Sequence, residues 1–282
     1  MQFELNLLEN SYDYLNESLE YYKKIGYDET HNPEIDSIDE KKKWKTTFLL
    51  LVQAVELLIK EKLYRVNSIL IYEDIDSKNI DNSKLITYSK SLDRLLNLYP
   101  KIMQEKDKIF LLQCSNVRNQ CIHGKVVLNS IEIKKKYCKL FEYYDKLHSK
   151  FFNKKYFNST FKYEIIQIKE YSKGFDVYRG TEFLLKDLKQ FKKEIEIAQQ
   201  NCCVKNSREK YNRIRFGSEE EFLKDKFSDG RYTDYSIYKL NYCSDCLAAQ
   251  NEVHGEYCDL EICPKCGMQL ITCGCFETIC KN

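Results

Sequence analysis

The stretch Trp44-Lys-Thr-Thr-Phe-Leu-Leu-Leu-Val-Gln-Ala-Val-Glu-Leu-Leu-Ile-Lys-Glu-Lys-Leu63 contains the longest apolar run of the chain. Its length and composition predict a helix buried at the centre of a helical bundle. Gln53 and Glu56 interrupt the run, which falls short of the roughly twenty apolar residues that cross a bilayer. A mainly α fold without a membrane partner is therefore expected.

Four further segments carry apolar residues at helical spacing and are expected to pack around this central helix. They are residues 5–25, 84–98, 107–122 and 130–152. Pro100 follows the second of these segments, and Gly124 stands where a glycine often ends a helix. The polar, acidic stretch 71–83 predicts an exposed loop.

The stretch Val117-Arg-Asn-Gln-Cys-Ile-His-Gly124 ends the third of these segments with two groups suited to phosphodiester chemistry. Arg118 supplies a permanent cation, and His123 a side chain that exchanges protons near neutral pH. Five residues apart on an ideal helix, they point about 140° apart, so the arginine must swing or meet a histidine of another subunit. Asn119 lies one turn before His123 and is expected to orient its imidazole. The alternative to a catalytic pair is that Arg118 is an ordinary surface cation and that His123 interacts favourably with the negative end of the helix dipole.

Glu56 places a carboxylate within the apolar run of the predicted central helix. Burying a carboxylate is costly unless a cation pairs with it. Arg118 is one candidate partner, and Lys60, one turn further along the same helix, is the other. The sequence leaves both partners open.

Taken together, the helix pattern and the Arg-x-x-x-x-His motif of residues 1–152 resemble the HEPN superfamily, small helical bundles many of whose members are ribonucleases. The resemblance implies a metal-independent RNA endonuclease with no catalytic cofactor, whose catalytic set is Arg118, His123, Asn119 and Glu56. Attack by the RNA 2′-hydroxyl would leave 2′,3′-cyclic phosphate and 5′-hydroxyl ends.

The resemblance also implies a homodimer with a composite active site, and a role as a bacterial toxin or antiphage effector controlled by an inhibitor or activator protein. In one subgroup of HEPN toxins the motif continues as His-x-Tyr, and a nucleotidyltransferase modifies that tyrosine. Here Gly124, Lys125 and Val126 follow His123. This departure speaks against a nucleotidyltransferase partner.

Two cysteine pairs near the C-terminus, Cys243-Ser-Asp-Cys246 and Cys263-Pro-Lys-Cys266, have the spacing of zinc knuckles. The sequence predicts that these four thiolates form one structural zinc site in a zinc ribbon over residues 241–282. Other donors nearby leave a ligand exchange or a second metal open. These donors are His254, Cys258, Cys273, Cys275 and Cys280.

Residues 153–240 are expected to form a small mixed α/β region that connects the HEPN-like bundle (residues 1–152) to the ribbon. Alternation predicts a strand at 162–171 paired with one at 175–178, and a further strand at 235–242. Residues 182–200 have a helical pattern. No internal repeat is evident in the chain.

Composition narrows the functional classes. Thirteen cysteines and a polar N-terminal sequence favour a reducing cytoplasm over a secreted, disulfide-linked protein. The net charge of +2 is too small to attract nucleic acid globally, and residues 243–280 are more acidic than basic, which argues against an RNA-gripping ribbon. Two alternatives remain: a non-catalytic HEPN module that binds nucleotide or RNA or scaffolds a partner docked on the ribbon, and a zinc-dependent transcription regulator.

Overall fold

A computed structural model describes residues 6–25, 33–75, 84–124, 129–152, 159–227 and 235–280. The chain divides into two compact units, Met1–Gly174 and Phe175–Asn282. The boundary was predicted after residue 152, but the first unit extends to Gly174. The reason is that one more helix after residue 152 packs on the bundle. Among the described residues, no helix combines the length and the apolar composition needed to span a membrane.

The first unit is a bundle of α-helices, numbered here in chain order. They are α1 (Leu7–Lys24), α2 (Pro33–Val66), α3 (Tyr88–Leu98), α4 (Glu105–His123), α5 (Ser130–Phe151) and α6 (Lys162–Ser172). The five helices predicted from the sequence are all present, with shifted ends. The central helix α2 begins at Pro33 rather than Trp44, and proline is favoured in the first turn because its missing N–H would be unbonded there. Part of the predicted loop 71–83 lies outside the described residues.

Helix α2 is the centre of the bundle, as its composition predicts. It contacts α1, α3, α4 and α5. Phe48, Leu51, Val55, Leu58 and Leu63 are completely buried along it. Each such side chain contributes roughly 1.5–3 kcal/mol when it leaves water, so α2 supplies much of the driving force for this unit.

Two small polar side chains fix α1 against α2. Ser11 and Ser18, seven residues apart and so on one face of α1, each donate a 2.8 Å hydrogen bond to a backbone carbonyl of α2. The hydroxyls of Tyr144 and Tyr137 on α5 complete the hydrogen bonds of the same two serines at 3.0 and 3.1 Å. Because these groups are buried, the bonds select one register between the three helices.

The predicted strand at 162–171 is wrong, since these residues form α6. Ile165 and Ile168, three residues apart, are buried, whereas Tyr163 and Ile166 are exposed. Burial therefore follows the helical period, and the short alternation in the sequence was misleading. Helix α6 packs on α5 and α1.

The described residues of the second unit form two small antiparallel sheets and two α-helices. Its elements are β1 (Phe175–Tyr178), β2 (Thr181–Leu184), α7 (Leu185–Gln200), β3 (Cys203–Lys205), β4 (Lys210–Asn212), α8 (Glu219–Lys226) and β5 (Thr278–Cys280). Strand β1 was predicted, but it forms a hairpin with β2 instead of pairing with 162–171. The second sheet has the order β4-β3-β5. Helix α7 confirms the helix predicted at 182–200, except that residues 182–184 belong to β2.

The strand predicted at 235–242 is also wrong. Residues Ser236–Lys239 form a 3₁₀ turn, and only Tyr242 makes a β-bridge, with Ala249. A strand needs a continuous partner, and this segment has a partner at one residue only.

His148 on α5 is enclosed by aromatic side chains in the first unit. Its Nε2 atom lies 2.7 Å from the Tyr12 hydroxyl, and the rings of Tyr144 and Phe152 flank its ring. Burial lowers the pKa of His148 to about 4, although the charge of Asp145 acts in the opposite direction. In the native bundle the imidazole of His148 therefore stays neutral at pH values well below the pKa of an ordinary histidine.

We predict that the bundle loses up to about 3 kcal/mol of stability as the pH falls from 6.5 to about 4, because over this range the unfolded chain protonates His148 and the native chain does not. Above pH 6.5 the contribution of neutral His148 is complete. Denaturant unfolding monitored through Trp44, the single, buried tryptophan, measures this loss. The His148→Phe variant should show a shallower pH dependence in this window, and equal slopes would contradict the assignment.

Candidate active site and metal centres

Helix α4 directs Arg118 towards the central helix, where it meets Glu56. The Nη1 atom of Arg118 donates to Oε2 of Glu56 at 2.7 Å. The ammonium group of Lys60 donates to the other oxygen of the same carboxylate, also at 2.7 Å. The two partners that the sequence left open for Glu56 therefore bind it together.

This three-residue group carries one negative and two positive charges. Burial by itself would raise the pKa of Glu56, but Lys60 and Arg118 outweigh it, so the pKa is lowered. The carboxylate is therefore ionised, and a single net positive charge remains at the edge of the bundle. Such a site favours an added anion.

The other hydrogen bonds of Arg118 are long. Its Nε and Nη2 atoms lie 3.3 Å from the amide oxygen of Asn119, Nη2 lies 3.5 Å from the Ser115 hydroxyl, and Nη1 lies 3.4 Å from the Gln53 amide oxygen. Bonds of this length are weak compared with the 2.7 Å contact to Glu56. One corner of the guanidinium is thus fixed, and its remaining donors are available for exchange.

Asn119 does not make the contact predicted for it. Its amide oxygen faces the guanidinium of Arg118, and no hydrogen bond within the described part of the chain joins it to His123. The charged donors of the adjacent arginine compete for the same oxygen, and charge-assisted bonds are the stronger ones. In this structure Asn119 therefore contacts Arg118 and not His123.

His123 is the last residue of α4, as predicted, and its side chain is exposed. Gly124 caps the helix with a backbone bond to Gln120 at 2.9 Å but is extended, not left-handed as at most glycine caps. No hydrogen bond or ion pair between His123 and Arg118 occurs among the described residues. One chain thus places the arginine against α2 and the histidine in solvent.

Two buried ionisable groups near Arg118, Cys114 and Tyr88, are poor nucleophiles. Burial raises the pKa of Cys114 on α4 to about 12. Burial also raises the pKa of Tyr88 well above its usual value. Both groups therefore stay protonated near neutral pH.

Gln53 and Ser115 were not predicted as site residues, and Lys60 was predicted only as an alternative partner of Glu56. A signal was present, since Gln53, Glu56 and Lys60 follow the i, i+3, i+7 spacing of one helix face within an otherwise apolar run. Polar residues on a single face of a central helix indicate that the face meets polar partners.

We predict that Glu56→Gln destabilises the first unit by about 2 kcal/mol or more, because Lys60 and Arg118 would keep their charges near the core without a counter-ion. Denaturant unfolding followed by Trp44 fluorescence measures the change. Glu142→Gln, which breaks the exposed pair with Lys139, is the matched control and should have little effect. Similar losses in the two variants would show that Glu56 makes no special contribution.

The second unit contains two clusters of side chains that could hold a metal ion, referred to below as metal-binding clusters. The first consists of Cys243, Cys246, His254 and Cys258. Their ligand atoms all lie within 4.8 Å of one another, and the sulfurs of Cys243 and Cys258 are 3.7 Å apart. Zinc–sulfur bonds of about 2.3 Å at tetrahedral angles separate two sulfurs by about 3.8 Å. The cluster therefore fits a tetrahedral metal ion.

Glu219, the first residue of α8, orients the histidine of this cluster. Its Oε1 atom lies 2.7 Å from Nε2 of His254, and both side chains are completely buried. The Nδ1 atom of His254 consequently faces the thiols, 3.1 Å from the sulfur of Cys258. In metal sites a carboxylate often accepts a hydrogen bond from the outer nitrogen of a ligand histidine. Glu219 lies 35 residues before His254 in the chain, and this contact was not predicted.

Cys263, Cys266, Cys273 and Cys275 form the second metal-binding cluster, with ligand atoms again within 4.8 Å of one another. Three of these four cysteines are partly exposed, whereas the first cluster is mostly buried. Among the described residues, Cys280 belongs to neither cluster and lies in β5.

This grouping shows that the prediction of a single zinc site was wrong. The predicted ligands were Cys243, Cys246, Cys263 and Cys266. All four cysteines are candidate ligands, but the two pairs belong to different clusters. The reason is that the chain after each knuckle turns back and brings its own third and fourth ligands. The structure therefore offers two metal sites, each able to be saturated by protein ligands.

The two knuckles are structural repeats, which the sequence analysis missed. In the first, Cys243 N–H donates to the Ala248 carbonyl at 2.8 Å, and Leu247 N–H donates to the Cys243 carbonyl at 3.0 Å. The second repeats these bonds with Cys263 and Gly267 in the equivalent positions, at 2.7 and 2.8 Å. Leu247 and Gly267 both have positive φ, 57° and 75°. Leucine in place of glycine hides the repeat in the sequence.

A buried ion pair links the two clusters. Arg213 and Glu261 are almost completely buried, and the Nε atom of Arg213 donates to the Glu261 carboxylate at 2.7 Å. Arg213 also donates to the carbonyl of His254 at 2.9 Å. Because Glu261 stands two residues before Cys263, this arginine connects a ligand of the first cluster to the entry of the second.

We predict that the purified protein contains two metal ions per chain. Cys258→Ser and Cys273→Ser should each lower the content towards one, because each removes a ligand from a different cluster. Cys202→Ser, a cysteine outside both clusters, serves as the control and should retain two. Elemental analysis together with a thiolate-release titration measures the content, and a wild type with one ion would restore the single-site model.

Comparison of the chain with protein-family models, curated proteins and solved structures finds no match. The class of the protein therefore follows from its own structure. It is a mainly helical protein, in which a bundle is followed by a small sheet-containing unit with two Cys/His clusters that could hold metal ions.

Proposed function

We propose that the first unit is a metal-independent RNA endonuclease of HEPN type. The observation that carries the proposal is the 2.7 Å contact between Arg118 and Glu56. It fixes one nitrogen of the guanidinium and leaves the other donors weakly bonded. Arg118 lies on α4, and the same helix ends with the exposed His123. A fixed cation beside a proton-exchanging group is what phosphodiester cleavage requires.

RNA carries its own nucleophile, so the enzyme has to move two protons and stabilise charge. A histidine accepts the proton of the 2′-hydroxyl, whose oxygen attacks the adjacent phosphorus. The bond from phosphorus to the 5′-oxygen breaks, and that oxygen takes a proton from a general acid. Arg118 binds the negative phosphorane, exchanging its long bonds for phosphate oxygens. DNA lacks the 2′-hydroxyl and should resist cleavage.

Among the described residues, one chain supplies one histidine at this site, whereas the reaction needs both a base and an acid. A two-fold dimer in which two α4 helices face one cleft would supply both roles from His123 and its symmetry copy. It would also bridge the separation between Arg118 and His123 within one chain. Two-fold dimers are the commonest oligomers, and we include this composite site in the proposal.

We further propose that both clusters hold structural zinc, because tetrahedral sites saturated with thiolate and imidazole suit this ion and leave no open coordination position. Reduced thiolates of this kind fit a cytoplasmic protein. The biological role that accompanies such a nuclease is a toxin or antiphage effector, restrained or triggered by a protein partner.

We predict that the wild-type protein cleaves structured RNA such as tRNA in buffer without added divalent metal, leaving 2′,3′-cyclic phosphate and 5′-hydroxyl ends. His123→Ala should lower the rate at least about 100-fold, the usual loss when a general acid or base is removed. Gln120→Ala, an exposed change one turn away on α4, should leave the rate unchanged. Gel analysis and mass spectrometry of the fragment ends measure the outcome.

The alternative is a non-catalytic module that binds nucleotide or RNA or scaffolds a partner. The observation that favours it is that Arg118 is already paired with Glu56 and has no contact with His123 among the described residues. Intact RNA after incubation with dimeric wild type, or equal cleavage by wild type and His123→Ala, would support this alternative over the nuclease. A monomer in solution would remove the composite site.

A further inference from the structure

The second unit contains a cavity of about 370 Å³ that neither metal-binding cluster occupies. Its lining comes from three places: the loop that follows the first cluster's histidine, the segment around the last ligands of the second cluster, and the sheet strands β3 and β5. Apolar walls are formed by Val204, Leu270, Phe276 and Ile279. A volume of this size is in the range of sites that enclose a small ligand or a large side chain.

Three carboxylates line the cavity, and they are not equivalent. Glu261 is buried and paired with Arg213. Glu256 and Glu277 are exposed, and the described contact of Glu256 is a 2.6 Å bond from the neutral amide of Asn201, which leaves its charge uncompensated. None of the lining residues that the structure describes is lysine or arginine.

The segment that supplies all of the lining except Val204 has the same sign of charge. Residues 243–280 contain six acidic side chains and one basic side chain, Lys265. Binding of a divalent ion by four thiolates, or by three thiolates and an imidazole, leaves each cluster with a negative net charge. A phosphate-containing ligand would be repelled here, whereas a cation would be attracted.

Tyr257 adds an aromatic surface at the rim. Its side chain is 79% exposed, and its backbone has φ of 65°, a left-handed conformation that is unfavourable for tyrosine. Strained residues of this kind occur preferentially where ligands bind. An exposed aromatic ring beside carboxylates also suits a guanidinium group, which stacks on aromatic faces.

We propose that this cavity binds an arginine side chain from a basic segment of a partner protein. The guanidinium group would pair with Glu256 and Glu277 and stack on Tyr257, while its aliphatic stem would lie against Leu270 and Phe276. The lining includes residues of the loops that carry both clusters, so metal binding to the clusters would hold the cavity walls in place. The proposal does not depend on the RNA chemistry assigned to the first unit.

The test uses the full-length protein as purified, with its metal content verified. The probe is a fluorescent, acetylated and amidated peptide Gly-Arg-Gly-Arg-Gly-Arg-Gly, and its matched control replaces each arginine with citrulline, a neutral group of the same shape. We expect the arginine peptide to bind at least about tenfold more tightly than the citrulline peptide, as measured by fluorescence anisotropy. A tenfold difference in affinity corresponds to the loss of one charge contact.

Glu277→Gln and Glu256→Gln should each weaken binding of the arginine peptide about five- to tenfold. Glu221→Gln on α8, an exposed acid outside the cavity lining, is the control and should bind like wild type. All variants should retain the wild-type metal content, which separates a lost contact from a lost fold. Using the His123→Ala protein throughout keeps RNA cleavage from affecting the result.

Equal affinity for the arginine and citrulline peptides would overturn the proposal, as would an arginine peptide that does not bind. It would also be overturned if Glu277→Gln and Glu221→Gln had the same effect, since the contact would then be general attraction to an acidic surface. Preferential binding of an RNA oligonucleotide at this cavity would contradict the charge argument directly.

Discussion

The buried carboxylate of Glu56 is the constraint on which the candidate active site depends. A charge this close to an apolar core has to be compensated, and Lys60 and Arg118 compensate it from two different helices. The contact joins α4 to the centre of the bundle and also sets where the guanidinium can reach. One electrostatic requirement of folding thus determines the position of a group suited to binding phosphate.

The second unit obtains its cohesion differently. The first unit buries a continuous set of large apolar side chains, whereas the described apolar residues of the second form only two small buried clusters, around Phe216 and Leu223. A unit with so little described apolar core would gain much of its stability from cross-links. The cysteine and histidine ligands can supply them through metal, and the Arg213–Glu261 pair connects the two centres.

Helix positions in the first unit could be predicted because α1, α3, α4 and α5 carry apolar residues at helical spacing and α2 carries the longest apolar run of the chain. The short segment that forms α6 could not be, since its isoleucines satisfy a period of two as well as one of three to four. The cysteine knuckles were evident from spacing, but spacing does not show which loop returns to which knuckle, so the grouping around His254 and Cys273 was missed. The contact between Arg118 and Glu56 was predicted as one of two options. The orientation of Asn119 was not predictable in this way, because it depends on which neighbouring donor its amide oxygen binds, and the sequence pattern does not contain that information.

The division of the chain into two units with different sources of cohesion also orders the events of biosynthesis. The bundle leaves the ribosome first, and N-terminal domains generally fold during synthesis. Its apolar core requires nothing that the chain itself does not carry, so Arg118 can meet Glu56 before the first knuckle at Cys243 has been translated. The later unit, by contrast, would wait for an ion from its surroundings if its clusters hold the proposed zinc. A newly made molecule in a metal-poor cell would then carry a finished bundle and an unfinished second unit.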